Sequence, residues 1–363
     1  MSAPARPSGG RATSPGEDVA QRQEGSPVSA PARPPGGRAT SRGEDVAKRQ
    51  EGSPVSAPAR PPEGRASSPG EDVAQRQEGS PVNAPAQRAG TLLIDAGNTR
   101  VKFGWRNDDA TSGQAVPRTS LQVAFRHEEV PEALLPWLDE AGLRPRAALG
   151  SNVAGDDSER TIASLLARNG CAVDWIRAGR RLLGVTNGYR HPERLGADRW
   201  LSLVGIWNRW RRQAAPGAAA PVHVLAHFGT ATTVDTLDGS GRFVGGLILP
   251  GRDLMRQSLA AGTAGLPRAN GQVAPFPDNT GDAIMSGVAA AQAGAVARQW
   301  LAARERFRQE PLLVASGGAW SAIAGEVAHL MRAAGSTRQV LVVDNPVLDG
   351  LACLAESGLA PSS

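Results

Sequence analysis

The sequence predicts an α/β protein of two similar lobes with a cleft between them, preceded by a disordered tail. Three observations carry that reading. From residue 91 onward, short apolar runs closed by turn residues alternate with segments of helical spacing. The order of three strands followed by alternating helix and strand occurs twice, as expected of two layered α/β units. Before residue 90, large apolar side chains are almost absent.

The tail, 1–89, is a repeat with a period of 27 residues: the segment 2–28 recurs as 29–55 and 56–82, and a fourth copy starts at Asn83 and breaks off. Solenoid repeats stack large apolar residues into a shared core. Each copy here offers only Val and Ala among Pro, Gly, Ser, Arg and Glu. Such a segment buries too little apolar surface to offset its ordering entropy.

The first lobe is expected over 90–213. TLLIDAG (91–97) is a buried strand that can pair with the alternating RVKFGWR (100–106) through Asn98 and Thr99. A weaker strand follows at 121–127. Helical spacing marks 131–141 and 158–169, with a strand at 147–153 between them. Residues 199–212 form a strongly amphipathic helix, with Trp200, Leu203, Ile206, Trp207 and Trp210 on one face. Arg209, Arg211 and Arg212 read as its solvated end.

A Pro/Ala/Gly stretch at 214–221 opens the second lobe, 214–363. Strands are expected at 222–229, 231–237 and 242–251, then helices at 252–261 and 280–306. A strand at 311–318, a helix at 320–334, a strand at 339–345 and a helix at 346–356 complete the pattern.

Composition removes several function classes. The formal net charge of +5 is spread along the chain, not gathered into the stripe a nucleic-acid binder presents. Two cysteines, Cys171 and Cys353, exclude a disulfide scaffold and suit a reducing, cytoplasmic compartment. No apolar run reaches the ~20 residues of a membrane span, and no apolar stretch of signal-peptide length opens the sequence. Lys48 and Lys102 are the only lysines, so no GxxxxGK[ST] phosphate loop exists.

The chemistry sits at strand ends. Asp95-Ala96-Gly97-Asn98-Thr99 is a turn in which backbone, amide and hydroxyl groups can meet a phosphate, with Lys102 adding charge. A carboxylate such as Asp95 belongs beside phosphates only by holding a cation such as Mg²⁺; the same residues also suit an ordinary hairpin. Phe228-Gly229-Thr230 repeats the glycine-plus-hydroxyl pattern in the second lobe, and Ser316-Gly317-Gly318 offers a further strand-end glycine pair. Tyr189, the only tyrosine, precedes Gly196-Ala197-Asp198-Arg199 at a helix start. That loop suits a substrate hydroxyl with its base and an anion clamp, and Asp198 equally suits a helix cap.

DAGNT, GADRW, FGTATTVD, GGLILPGRDLMRQSLAAGTAGLP and NT-GDAIMSG, in this order, resemble the type III pantothenate kinase (Baf) family over 91–358. The resemblance implies the actin-like, ribonuclease H-like fold of the acetate kinase/sugar kinase/Hsp70/actin superfamily. It implies phosphoryl transfer from ATP to pantothenate, the first step of coenzyme A synthesis, by a homodimer with its long helix near the interface. Asp95, Ala96, Gly97, Asn98, Thr99, Arg100, Val101, Lys102 and Thr230 would bind ATP, with Asp95 towards Mg²⁺. Tyr189, Gly196, Ala197, Asp198, Arg199 and Thr280 would bind pantothenate, with Asp198 as proton acceptor. The family's K⁺ (or NH₄⁺) site expects an Asp where this chain has His227. Phosphates nearby would favour a charged imidazole there, in partial place of the ion.

No functional motif precedes Asp95. Deleting 1–88 is therefore expected to leave kcat and the thermal unfolding midpoint nearly unchanged. A tenfold loss of activity in a folded truncation would contradict this.

Overall fold

The computed structural model describes residues 88–108, 119, 121–267 and 270–359. The expected tail lies outside the described residues, apart from its last two. Arg88 and Ala89 are strand: Arg88 pairs with Leu143, and its amide donates to the Gly142 carbonyl at 2.8 Å. The truncation above should therefore stop before Arg88.

The first sheet holds β1 (Arg88–Ala96), β2 (Arg100–Asn107), β3 (Leu121–Arg126), β4 (Leu143–Asn152) and β5 (Val173–Trp175) in the order β3-β2-β1-β4-β5. The first three are antiparallel, and β4 and β5 run parallel to β1. Helices α1 (Val130–Glu140) and α2 (Asp156–Ala167) intervene. Two short strands, β6 (Arg181–Leu182) and β7 (Val185–Asn187), lead to α3 (Ala197–Gln213).

The second sheet repeats the plan. β8 (His223–Phe228), β9 (Ala231–Leu237) and β10 (Arg242–Pro250) are antiparallel, and β11 (Leu312–Ser316) and β12 (Leu341–Val342) add on parallel to β8. Their order, β10-β9-β8-β11-β12, matches that of the first sheet. Helices α4 (Arg252–Gly262), α5 (Thr280–Phe307) and α6 (Trp320–Ala333) belong to this half of the chain, and α7 (Pro346–Ser357) follows β12. Among the described residues, no helix is long and apolar enough to cross a membrane.

Sheet membership does not follow the expected 213/214 division. β7 pairs with β10, so β6 and β7 extend the second sheet from within the first half. These strands, like β5, are too short to show a period in sequence. Conversely, α7 packs Val347, Leu348 and Leu351 against Leu93, Leu149 and Leu201 beside the first sheet. The strand expected over 339–345 narrows to two residues, because Ser316 and Asn345 use this stretch for side-chain bonds: Ser316 Oγ donates to the Asp344 carbonyl, and the Asn345 side chain caps α7.

The Trp face of α3 is core, as expected: Trp200, Leu203 and Trp207 are buried with Leu237 and Phe243. Its basic end is not simply solvated. Arg212 binds Glu356 through both terminal nitrogens, and Arg209 lies 3.8 Å from Asp349, so two of the three arginines tie α3 to α7. The two helices cross at very close range. A methyl group on Gly205 would lie 2.4 Å from the Pro346 carbonyl oxygen, and one on Gly350 would lie 2.1 Å from that of Leu201. Only glycine fits at this crossing. Gly350→Ala should destabilise the fold by about 1–3 kcal/mol, the usual cost of overpacking, read as a fall in the urea midpoint at unchanged m-value.

Candidate active site

Asp95 is the penultimate residue of β1 and is buried. Its neighbours on the sheet are Lys102 of β2 and Ser151 of β4, so these three share one face at the strand end. Lys102 Nζ donates to Asp95 Oδ2 at 3.1 Å. The turn that follows exposes Asn98, Thr99 and Arg100. Ala96 and Val101 are fully buried in the core, so only their backbones can meet a ligand. The Gly97 amide donates to the Arg100 carbonyl at 3.1 Å, and its own carbonyl contacts His127 Nε2 at 2.8 Å. A carbonyl only accepts, so Nε2 carries the proton and Nδ1 is left to accept from Ser158 Oγ at 3.3 Å. His127 thus braces the turn, a role nothing in its local sequence signals.

The second sheet presents the matching row. His227 of β8 stands beside Thr233 of β9 and Ser316 of β11. The two turns meet: Thr99 Oγ1 and Thr230 Oγ1 are 2.7 Å apart. Burial, then the Lys102 charge, push the His227 imidazole down to about 4, although Asp95 opposes this. It is neutral near pH 7, and its Nδ1 is buried without a partner.

Asp198 and Arg199 open α3. Gly196 is the N-cap residue and makes no side-chain cap bond, so Asp198 is not the cap. It lies in the first turn, half-buried, where Oδ1 accepts the Arg199 amide at 2.7 Å. Burial raises the Asp198 carboxyl above its ordinary range; that amide and the Arg199 charge oppose the rise, and the Asp95 charge adds to it. The outcome is a carboxylate of enhanced proton affinity near Asp95, the property a general base needs.

Arg199 is not an open clamp. It is buried, and its Nε and Nη2 donate to Asp235 Oδ2 and Oδ1. Its Nη1 donates to the Tyr189 hydroxyl at 3.1 Å, and its guanidinium lies 5.7 Å from the ring centres of Tyr189 and Phe243. Sequence reasoning placed Asp235 in a strand without a role. The available signal was an acid within an otherwise apolar and Thr-rich run, where a buried carboxylate requires a partner.

Thr280 is on another element. It opens α5 after the Asn279 cap and lines an open cavity of about 780 Å³ with Met255, Leu259, Leu266, Ile284 and Val288.

The family model for type III pantothenate kinase matches residues 91–316, spanning both turns and the α3 start. This chain belongs to the type III pantothenate kinase family. The type III pantothenate kinase of Bordetella pertussis is 46% identical over 276 residues, covering 75% of this chain and 99% of that one. That of Azoarcus sp. strain BH72 is 42% identical over 272 residues, covering 75% and 92%. Among solved structures, a Baf family protein from Campylobacter jejuni aligns over 73% of this chain and 98% of its own, with 17% identity and a TM-score of 0.43.

For a kinase of this family, Asp198 gives a direct test. Asp198→Asn keeps the acceptor for the Arg199 amide but cannot take a proton. It should lower kcat roughly 10²–10⁴-fold with little change in stability. A base at Asp198 works only when ionised, so under that assignment kcat/KM should fall as pH drops through a midpoint above the ordinary carboxylate range. A pH–rate profile checks the position of that limb.

Proposed function

We propose that this chain transfers the γ-phosphoryl group of ATP to the 4′-hydroxyl of pantothenate in the cleft between the two turns. The observation that supports this most directly is the grouping of Asp95 with Lys102, Thr99 with Thr230, and Asp198 with Arg199 and Tyr189. Phosphoryl transfer passes through a loose transition state, so the protein chiefly positions groups and neutralises charge. The turns from Asp95 to Lys102 and at Thr230 supply fixed donors for the ATP phosphates. Tyr189 and the Gly196–Arg199 segment hold pantothenate, and Asp198 accepts the hydroxyl proton as the new P–O bond forms.

The residues fit a divalent cation. Asp95 is a hard oxygen donor, and its charge raises the neighbouring Asp198 carboxyl, a repulsion that a cation between them relieves. Asp95 would hold Mg²⁺, which neutralises phosphate charge when bound. A monovalent cation does not fit the second row. His227 offers a nitrogen where K⁺ prefers oxygen, and it already lies in the field of Lys102. No cluster of three His, Cys, Asp or Glu groups exists among the described residues.

A coupled ADP-release assay with ATP, Mg²⁺ and pantothenate tests the reaction, and turnover that ignores pantothenate would reject it. The same assay in K⁺, NH₄⁺ and Na⁺ buffers of equal ionic strength should give rates within about twofold, because no carboxylate stands at 227. Several-fold stimulation by K⁺ would overturn that part.

We further propose a homodimer with α5 near its interface. The cavity lined by Thr280 is largely apolar, and Leu254 and Phe276, 45% and 93% exposed, directly precede its lining residues Met255 and Pro277 in sequence. Large apolar patches of this kind mark interfaces. Sedimentation equilibrium should give twice the chain mass, and Phe276→Asp with Leu254→Asp should shift it towards the monomer.

A further inference from the structure

Asp95 and Asp235 are the two buried carboxylates among the described residues, and the reaction above uses only the first. Asp235 is 1% exposed, in the interior of β9, between Leu225 of β8 and Gly246 of β10. Neither neighbour can ionise, so its charge is answered from outside the sheet by Arg199. A buried pair of this kind recovers at best part of its desolvation cost, and is often no more stable than apolar residues of the same size. Its effect here is geometric. Arginine has five N–H donors in a rigid fork. Asp235 takes the edge formed by Nε and Nη2, which leaves Nη1 pointing at the Tyr189 hydroxyl.

Three further contacts fix the same arrangement. The Tyr189 and Phe243 rings lie 5.1 Å apart, with the guanidinium against both. Thr233 stands two residues before Asp235 on the same face and favours its ionised form. At 246 only glycine leaves room: a methyl there would lie 2.1 Å from Asp235 Oδ1 and 2.9 Å from Arg199 Nη2. The backbone of β10 is thus shaped around the ion pair.

We propose that Asp235 is the positioning residue of the pantothenate site: it holds the Arg199 guanidinium so that Nη1 and the Tyr189 hydroxyl form one fixed polar edge for the substrate. Asp235 touches neither substrate nor the transferred group and acts through Arg199. The inference rests on the assignment of Arg199 and Tyr189 to pantothenate. It separates Asp235 from the phosphate turns, which belong to Asp95 and Thr230.

Steady-state kinetics of the full chain test this with Asp235→Asn, Arg199→Met and the double variant, each checked for an unchanged unfolding midpoint. Asp235→Asn should raise the KM for pantothenate about tenfold or more while the KM for ATP stays within about twofold. In the Arg199→Met background, adding Asp235→Asn should change the pantothenate KM by less than about twofold, since the residue through which it acts is gone. Where Asp235→Asn alone does not fold, Gly246→Ala displaces the same pair without removing a charge and should give the same selective rise. An unchanged pantothenate KM in the folded single variant, equal rises in both KM values, or additive effects in the double variant would overturn the proposal. Arg199→Met with a normal pantothenate KM would overturn the assignment of Arg199 itself, and the role of Asp235 with it.

Discussion

A contact between two helices that have no side chains at their crossing underlies the arrangement of the site. Gly205 and Gly350 let α3 and α7 approach until each backbone fills the space a methyl group would need. Leu201 and Leu348 flank that crossing within one buried cluster, and Arg209 and Arg212 fasten its far end. The helix that begins with Asp198 and Arg199 is therefore anchored along its length to the last helix of the chain. α7 in turn rests beside the first sheet, while Arg199 reaches Asp235 in the second. One rigid element thus relates Asp198 to both sheets, and functional positions are held more accurately on such elements than on loops.

Charge in the cleft is distributed with economy. Asp95 is answered by Lys102 and Asp235 by Arg199, each within its own contact, which leaves Asp198 as the carboxylate with a backbone amide for company. Its proton affinity is raised by burial and by Asp95, and moderated by Arg199. The imidazole of His227 contributes volume and no net charge near pH 7. The first sheet thus carries the ionic chemistry of the strand-end row, and the second carries a neutral counterpart with hydroxyls from Thr233 and Ser316.

Much of this was legible in the sequence because it depends on local pattern. Runs such as 91–97 and 231–237 declare strands, and the Trp and Leu spacing of α3 declares a buried face. The turns at Gly97 and Gly229 mark strand ends whatever they bind. What escaped was non-local. β6 and β7 are two and three residues long, and only pairing with β10 makes them strands. Arg209 and Arg212 look like a solvated end until α7, more than a hundred residues later, supplies Asp349 and Glu356. The surroundings of His227 are non-local too: Lys102 reaches it from the other sheet, and burial comes from the fold. The carboxylate that engages Arg199 lies 36 residues away and has no local signal.

The 2.7 Å contact between Thr99 and Thr230 has a thermodynamic consequence. One hydroxyl donates to the other, so a phosphate oxygen that takes the donor's proton exchanges a bond, whereas the accepting hydroxyl keeps its own proton to give. A hydrogen bond of this type contributes about 0.5–1.5 kcal/mol net, and that amount is subtracted from whatever the turns return on binding. The contact holds the two turns in register before any ligand arrives, and a ligand that takes the donor hydroxyl must replace that bond.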